Sequence, residues 1–233
     1  MKTEVAVGGA GRRAPRAARI AVLLVLVMAT ALVQEAPHEF LGIALFVVII
    51  VHIVGHRRYF ANLARGRYTA VRVLGLVAIV GLLACIVGQL VSCIVLSKHA
   101  LAFLPVTSGA AWARRVHMLC SYWAFVFAFA HLGLQVKAML RAGKGKRGKS
   151  SAWAARIVFA AVAVYGAISF VQLGLGGYLV GAVPFAAADF ESPLILICAR
   201  WASVAVLVAG VFHYIRRILE RDHAKRVSNG QGI

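Results

Sequence analysis

The sequence from Val71 to Leu96 reads VRVLGLVAIVGLLACIVGQLVSCIVL and contains one charged residue, Arg72, next to its start. A helix of about 20 apolar residues crosses the roughly 30 Å hydrocarbon core of a bilayer at about 1.5 Å per residue. The segment is long enough and apolar enough for such a helix. It predicts that this chain is an integral membrane protein.

Five further apolar segments reach or nearly reach the same length. They are Ala18–Val33, His38–Gly55, His117–Val136, Ile157–Leu173 and Pro193–Tyr214. We therefore predict an all-α fold, an integral membrane bundle of six transmembrane helices with the second and fourth spans central. The first span is the shortest, and the arginines before it and Ala29-Thr30-Ala31 at its end also resemble a signal peptide. We favour a retained helix over a cleaved one.

Composition agrees with a membrane protein and argues against a nucleic-acid partner. Of the 233 residues, 62% are hydrophobic and 14% are charged, whereas a soluble domain is about 45–50% apolar and about 25% charged. The formal charge of +19 would favour nucleic-acid binding in a soluble protein. Here the charges lie in short clusters between apolar runs, so we expect membrane lipids rather than nucleic acid as partners.

The distribution of Lys and Arg predicts the orientation. Connections 1–19, 56–72 and 137–156 and the tail after His213 hold 22 of them, whereas the opposite face holds only Lys98, Arg114 and Arg115. The positive-inside rule then places both termini in the cytoplasm, and we expect a multi-pass protein of the plasma membrane. The predicted parts are a basic cytoplasmic N-terminal tail, 1–19, a six-helix transmembrane domain, 20–217, and a basic cytoplasmic C-terminal tail, 218–233.

The four cysteines point away from cysteine chemistry. Cys85, Cys93, Cys120 and Cys198 all fall within apolar runs and form no CxxC or CxxCH pattern. This excludes covalent c-type haem attachment and zinc-knuckle sites. We expect buried free thiols, with a disulfide among the last three as the alternative.

Histidine spacing indicates the function. His38 and His52 are 14 residues apart on the second span, and His117 and His131 are 14 apart on the fourth. Fourteen residues make almost four helical turns, so each pair projects from one face with about 21 Å between its members. In the predicted topology His38 lies level with His117 on the outer side and His52 with His131 on the inner side. Because neutral imidazole is an axial ligand of haem iron, we predict two non-covalent b-type haems, each held by one of these pairs.

The surroundings of these histidines agree with a bound tetrapyrrole. The residues between the paired histidines on their faces are Gly42, Leu45 and Ile49 on the second span and Ser121, Ala124 and Ala128 on the fourth, and the small ones leave room for a flat ligand. Ser92 and Ser121 are candidate partners for the second ring nitrogen of a ligand histidine. His56 is expected to be solvated at the interface, with assistance to the inner haem or a quinone as the alternative.

Four arginines flank the predicted ligands. Arg57 and Arg58 follow His52, and Arg114 and Arg115 precede His117. Arginine forms charge-assisted bonds with carboxylates, so these residues are candidates for binding the haem propionates. Arginine at the end of a membrane helix is equally expected from topology alone.

Several stretches of the sequence resemble those of one known family. The segment ARRVHMLCSYWAF, 113–125, continuing to His131-Leu-Gly-Leu, is similar to the histidine-bearing helix of the flavinylation-associated cytochromes, small bacterial membrane proteins grouped with two-haem transmembrane cytochromes. His38-Glu-Phe-Leu-Gly42 with His52 resembles that family's earlier ligand helix, and Phe185 to Glu191 resembles its last outer loop. The likeness covers roughly residues 20–217 and departs from the family at Gln135, where another histidine is expected. It implies an electron conduit between the membrane or cytoplasmic side and an extracytoplasmic flavin-carrying protein, with a quinol as a candidate donor.

Two other classes stay open on the sequence alone. One is a haem-free membrane transporter, or a metal-binding or assembly protein, whose histidines bind a transition metal or move protons. The other is a membrane anchor subunit of a redox enzyme. We predict a di-haem b-type cytochrome, an electron-transfer protein rather than a stand-alone enzyme.

Overall fold

The computed structural model describes residues 13–31, 34–62, 68–104, 106, 108–142, 149–183, 185–186 and 191–228. The regular secondary structure of these residues is entirely helical. The helices are α1 (Arg13–Thr30), α2 (Glu35–Gly55), α3 (Arg57–Ala61), α4 (Ala70–Leu96), α5 (Ala110–Ala142), α6 (Lys149–Gln172), α7 (Leu175–Leu179) and α8 (Leu194–Ser228). Residues 1–12 and 229–233 of the predicted tails, and residues 187–190 of the predicted outer loop, lie outside the described residues.

Each predicted span corresponds to a helix. Helices α2, α4, α5, α6 and α8 are long and apolar enough to cross a membrane, whereas the apolar part of α1, Ala17–Thr30, is shorter. Helix α8 continues to Ser228, so the first part of the predicted C-terminal tail extends the last helix. The all-α fold is confirmed for the described residues, and five of their helices fit a membrane bundle.

The outer surfaces of the long helices are apolar. Large hydrophobic side chains remain exposed along α4 and α6, including Val77, Val87, Ile157 and Val171. A soluble protein rarely exposes contiguous apolar surface on this scale. These faces fit contact with lipid.

An aromatic core lies where α1, α5, α7 and α8 meet. The rings of Tyr122 and Tyr178 stack with centroids 4.2 Å apart, and Phe125 packs edge to face against Trp201 at 5.0 Å. Met28 and its neighbour from α1 are buried in the same cluster. Helix α1 therefore contributes to the core, as expected of a retained helix.

Glycines allow the central helices to approach closely. A Cβ atom at Gly133 of α5 would collide with the backbone oxygen of Ala209 in α8, and one at Gly166 of α6 would collide with that of Ser203. Small residues at helix crossings let backbones pack without intervening side chains, as is common in membrane bundles.

The expectation that the second span is central is wrong. Its helix, α2, packs along α1 and faces α4 and α5 across a gap, whereas α5 packs directly against α4 and α8. Leu45 is the one buried residue of α2. Helix α2 can take this peripheral place because exposed apolar side chains such as Val51 and Val54 suit lipid on one side, while its histidines line the cavity on the other.

Candidate functional site

A large cavity separates α2 from α4 and α5. Its volume is about 790 Å³, and its walls come mainly from α1, α2, α4 and α5. Pockets of about 300–1,000 Å³ lined mostly by apolar side chains are typical of cofactor and ligand sites. All eight histidines are among the described residues, and five of them line this cavity: His38, His52, His56, His117 and His131.

The cavity wall includes the residues predicted to leave room for a ligand. Gly42, Leu45 and Ile49 of α2 and Ser121, Ala124 and Ala128 of α5 all line it. A Cβ atom at Gly42 would meet no other atom within 4 Å. The two histidine-bearing faces therefore look into one shared space.

The first predicted pair meets at the end of the bundle that we call the upper end, where α2 and α5 begin and α4 ends. The ring centroids of His38 and His117 are 6.0 Å apart, and the ring planes make an angle of 70°. A metal ion bound axially by two imidazoles at about 2 Å, with each ring centre about 1.1 Å beyond its nitrogen, separates the centres by about 6 Å. The observed separation matches that requirement.

Protein groups hold one nitrogen of each upper ring. His38 Nδ1 donates to the carbonyl oxygen of Val27 at 2.9 Å. His117 Nδ1 lies 3.4 Å from Ser92 Oγ and 3.7 Å from the sulfur of Cys93, one of the four cysteines, all of which are free. Metal-bound histidines almost always engage their second ring nitrogen in this way, which fixes the tautomer and leaves the other nitrogen for the metal. Neither contact involves Nε2.

A partly buried polar cluster contacts His117 from α4. Gln89 Nε2 donates to the carbonyl oxygen of His117 at 2.9 Å and also bonds Ser121 Oγ. Ser121 Oγ donates to the same carbonyl at 2.7 Å. Of the two serines considered from the sequence, Ser92 faces the ring and Ser121 faces the backbone. The role of Gln89 was not predicted, since nothing in the sequence shows that α4 and α5 lie side by side.

The lower end of the cavity holds three histidines instead of the predicted two. His52 and His131 both line it, and His56 joins them. The His52 and His56 rings stack with centroids 4.4 Å apart, and His56 Nδ1 donates to the carbonyl oxygen of His52 at 2.9 Å. The buried Nδ1 of His131 has no hydrogen-bond partner among the described residues. An unpaired buried nitrogen is costly, and the ring of His131 lacks, among the described residues, the protein partner that each upper Nδ1 atom has.

Of the four candidate arginines, the structure brings one to the cavity. Arg114 lines it and stacks on the Phe185 ring at 4.9 Å. Arg115 lines a separate small cavity of about 170 Å³, because the next residue of a helix points about 100° away. Arg57 and Arg58 are exposed and do not line the large cavity, because the helix breaks at the preceding residue. The positions of Arg57, Arg58 and Arg115 therefore do not support a role in binding haem propionates.

The cavity offers few protein ligands, which suits a metal ion that is already coordinated by a cofactor. Among the described residues, no group of three or more His, Cys, Asp or Glu side chains could hold a metal ion. A bare transition metal usually needs three or four protein ligands, whereas a porphyrin supplies four nitrogens and leaves two axial positions to the protein. Two facing imidazoles beside a large apolar space fit the second case, so the residues present are suited to haem.

Comparisons with models of protein families, with curated proteins and with solved structures found no match. The resemblance to flavinylation-associated cytochromes thus stays a prediction from the residues.

Proposed function

We propose that this protein is a di-haem b-type transmembrane cytochrome that moves electrons across the membrane. The observation that carries the proposal is the pair His38 and His117, whose ring centroids lie 6.0 Å apart at one end of a cavity of about 790 Å³. The cavity continues to His52, His56 and His131 at its other end. Histidine groups at both ends of one apolar space support two sites at different depths in the membrane.

In this proposal the protein holds and tunes two haem groups. Bound haem iron supplies reversible one-electron chemistry. His38 and His117 bind the upper group, and His131 with the predicted partner His52 binds the lower one. Val27 and Ser92 orient the upper imidazoles, Arg114 neutralises a propionate at the cavity mouth, and the apolar walls exclude water.

The topology completes the proposal. Six spans with both termini in the cytoplasm place the upper end on the extracytoplasmic side of the plasma membrane. An extracytoplasmic flavin-carrying protein would then exchange electrons at the upper end, and a quinol or a cytoplasmic donor at the lower end. A phosphatase reporter that is active only on the extracytoplasmic side tests this arrangement. It should be active when inserted within residues 97–109 and inactive when fused after Ser228.

Absorption spectroscopy of the purified full chain tests the cofactor. Protein from haem-replete cells should show low-spin b-type bands that sharpen on addition of dithionite, with two haems per chain. A haem-free transporter or assembly protein would be colourless, and an anchor subunit without haem would be colourless as well. Colourless protein from haem-replete cells would contradict the proposal.

A further inference from the structure

One carboxylate joins the upper ends of α2 and α4. Glu39 accepts four hydrogen bonds: from Ser97 Oγ at 2.7 Å and from the backbone N–H groups of Lys98 at 2.9 Å, His99 at 3.0 Å and Ala100 at 2.8 Å. These donors lie 58 to 61 residues along the chain from Glu39. The contact therefore ties together two helices that are distant in sequence.

The segment that Glu39 binds is the turn that leaves α4. Helix α4 ends at Leu96, and the hydroxyl of Ser97 both donates to Glu39 and accepts from the N–H of Leu101 at 2.9 Å. Hydrogen bonds to a charged acceptor are roughly twice as strong as bonds between neutral groups. Glu39 thus organises a compact network around the whole turn.

The hydrogen bonds of Glu39 link α2 to α4 on the side where the cavity otherwise keeps the two helices apart. Helix α2 packs along α1 and faces α4 and α5 across the cavity. Glu39 directly follows His38, and Ser97 lies one turn beyond Cys93, which contacts His117. Glu39 therefore holds α2 beside α4 next to the two upper imidazoles.

We propose that Glu39 is a positioning residue that sets the separation of His38 and His117 by binding the 97–100 turn to α2. The inference rests on the proposed function in that its main readout is the upper haem. Glu39 also lines the cavity, but its four hydrogen bonds go to the 97–100 turn. It acts through the placement of α2.

A nearby acidic residue provides a matched control. Glu35, one turn before Glu39 on α2, forms an ion pair with Lys98 at 3.0 Å, but both side chains are about two-thirds exposed (67% and 66%). Exposed ion pairs of this kind contribute little. The Glu35→Gln variant removes an acidic charge and one exposed ion pair to Lys98 of the turn, while the four hydrogen bonds from Glu39 to the turn remain.

The experiment compares Glu39→Ala, Glu39→Gln and Glu35→Gln in the full chain. Hydrogen–deuterium exchange of residues 97–101 reports on the turn without reference to haem. Haem titration followed by the low-spin signal, and redox titration, each resolved into two components, report on the haem affinity and the potential of the upper and lower sites. We expect Glu39→Ala to speed exchange in the turn and to weaken haem binding at the upper site about tenfold, within the range for residues that orient metal ligands. The lower component should be unchanged, and Glu39→Gln should show a smaller effect of the same kind.

The outcomes separate the two proposals. Wild-type protein without haem would overturn the proposed function and this inference with it. Wild-type protein with two haems, combined with faster exchange but an unchanged upper component in Glu39→Ala, would overturn the positioning role alone. An equal effect of Glu35→Gln would also overturn it, because general loss of charge would then explain the result.

Discussion

The sharpest prediction concerns removal of one upper histidine. In His38→Ala the upper site loses one of its two facing imidazoles, whose ring centres are 6.0 Å apart in the wild type. His52 lies 14 residues further along α2, about 21 Å away at about 1.5 Å per residue. The loss should therefore stay confined to one end of the cavity.

The expected magnitude follows from this separation. Haem per chain should fall from two to one in His38→Ala, and equally in His117→Ala. The double variant should also bind one haem, because the two residues serve the same site and their effects are not additive. The truncated side chain leaves space in the cavity wall, so added imidazole should restore part of the upper signal.

Haem quantification and the reduced absorption spectrum of each purified variant measure this effect. His99→Ala is the control, since His99 is exposed in the connection after α4 and does not line the cavity. It should keep two haems. Loss of one haem in His99→Ala, or loss of both in His38→Ala, would refute the assignment of the upper pair.

Four further predictions test other parts of the structure. His52→Phe should abolish the low-spin signal of the lower haem, whereas His56→Phe should leave that signal intact. The opposite result would make His56 the ligand. Ser92→Ala removes a hydrogen-bond acceptor from a ligand imidazole, so redox titration should show the upper potential raised by at most about 60 mV, the equivalent of about 1.4 kcal/mol. Gly133→Ala should destabilise the bundle by about 1–3 kcal/mol through collision with α8, whereas Gly75→Ala, with open space around it, should leave the thermal midpoint in detergent unchanged or slightly raised. Intact mass of the purified protein should include α1, because this helix supplies core residues; a mass starting after residue 31 would contradict this.

Much of the fold was predictable because a membrane imposes a simple rule on sequence. Backbone polar groups in hydrocarbon must be satisfied within a helix, so each run of about 20 apolar residues corresponds to a helix. The runs ending at Gly55 and Leu96 end at the same residues in the structure. The continuation of α8 to Ser228 was not foreseen, since a basic stretch beyond a span can be helical or irregular without any change in hydropathy.

The candidate ligands were also predictable from local periodicity. Equal spacing of His38 to His52 and of His117 to His131 follows from helix geometry alone. Even the small residues of each ligand face, such as Gly42 and Ala124, line the cavity as that geometry requires.

Contacts between distant segments depended on the tertiary structure. Sequence periodicity places residues on a face but does not say which helix that face meets, so the peripheral position of α2, the turn bound by Glu39 and the contact of Gln89 with His117 could not be derived. The direction of the Arg115 side chain depends on how α5 is rotated, and that of His56 on the break between α2 and α3. Neither could be derived from the sequence. Hydrophobicity and spacing along the chain determined which helices form and what they carry, whereas the packing of side chains between helices decided which of those groups meet.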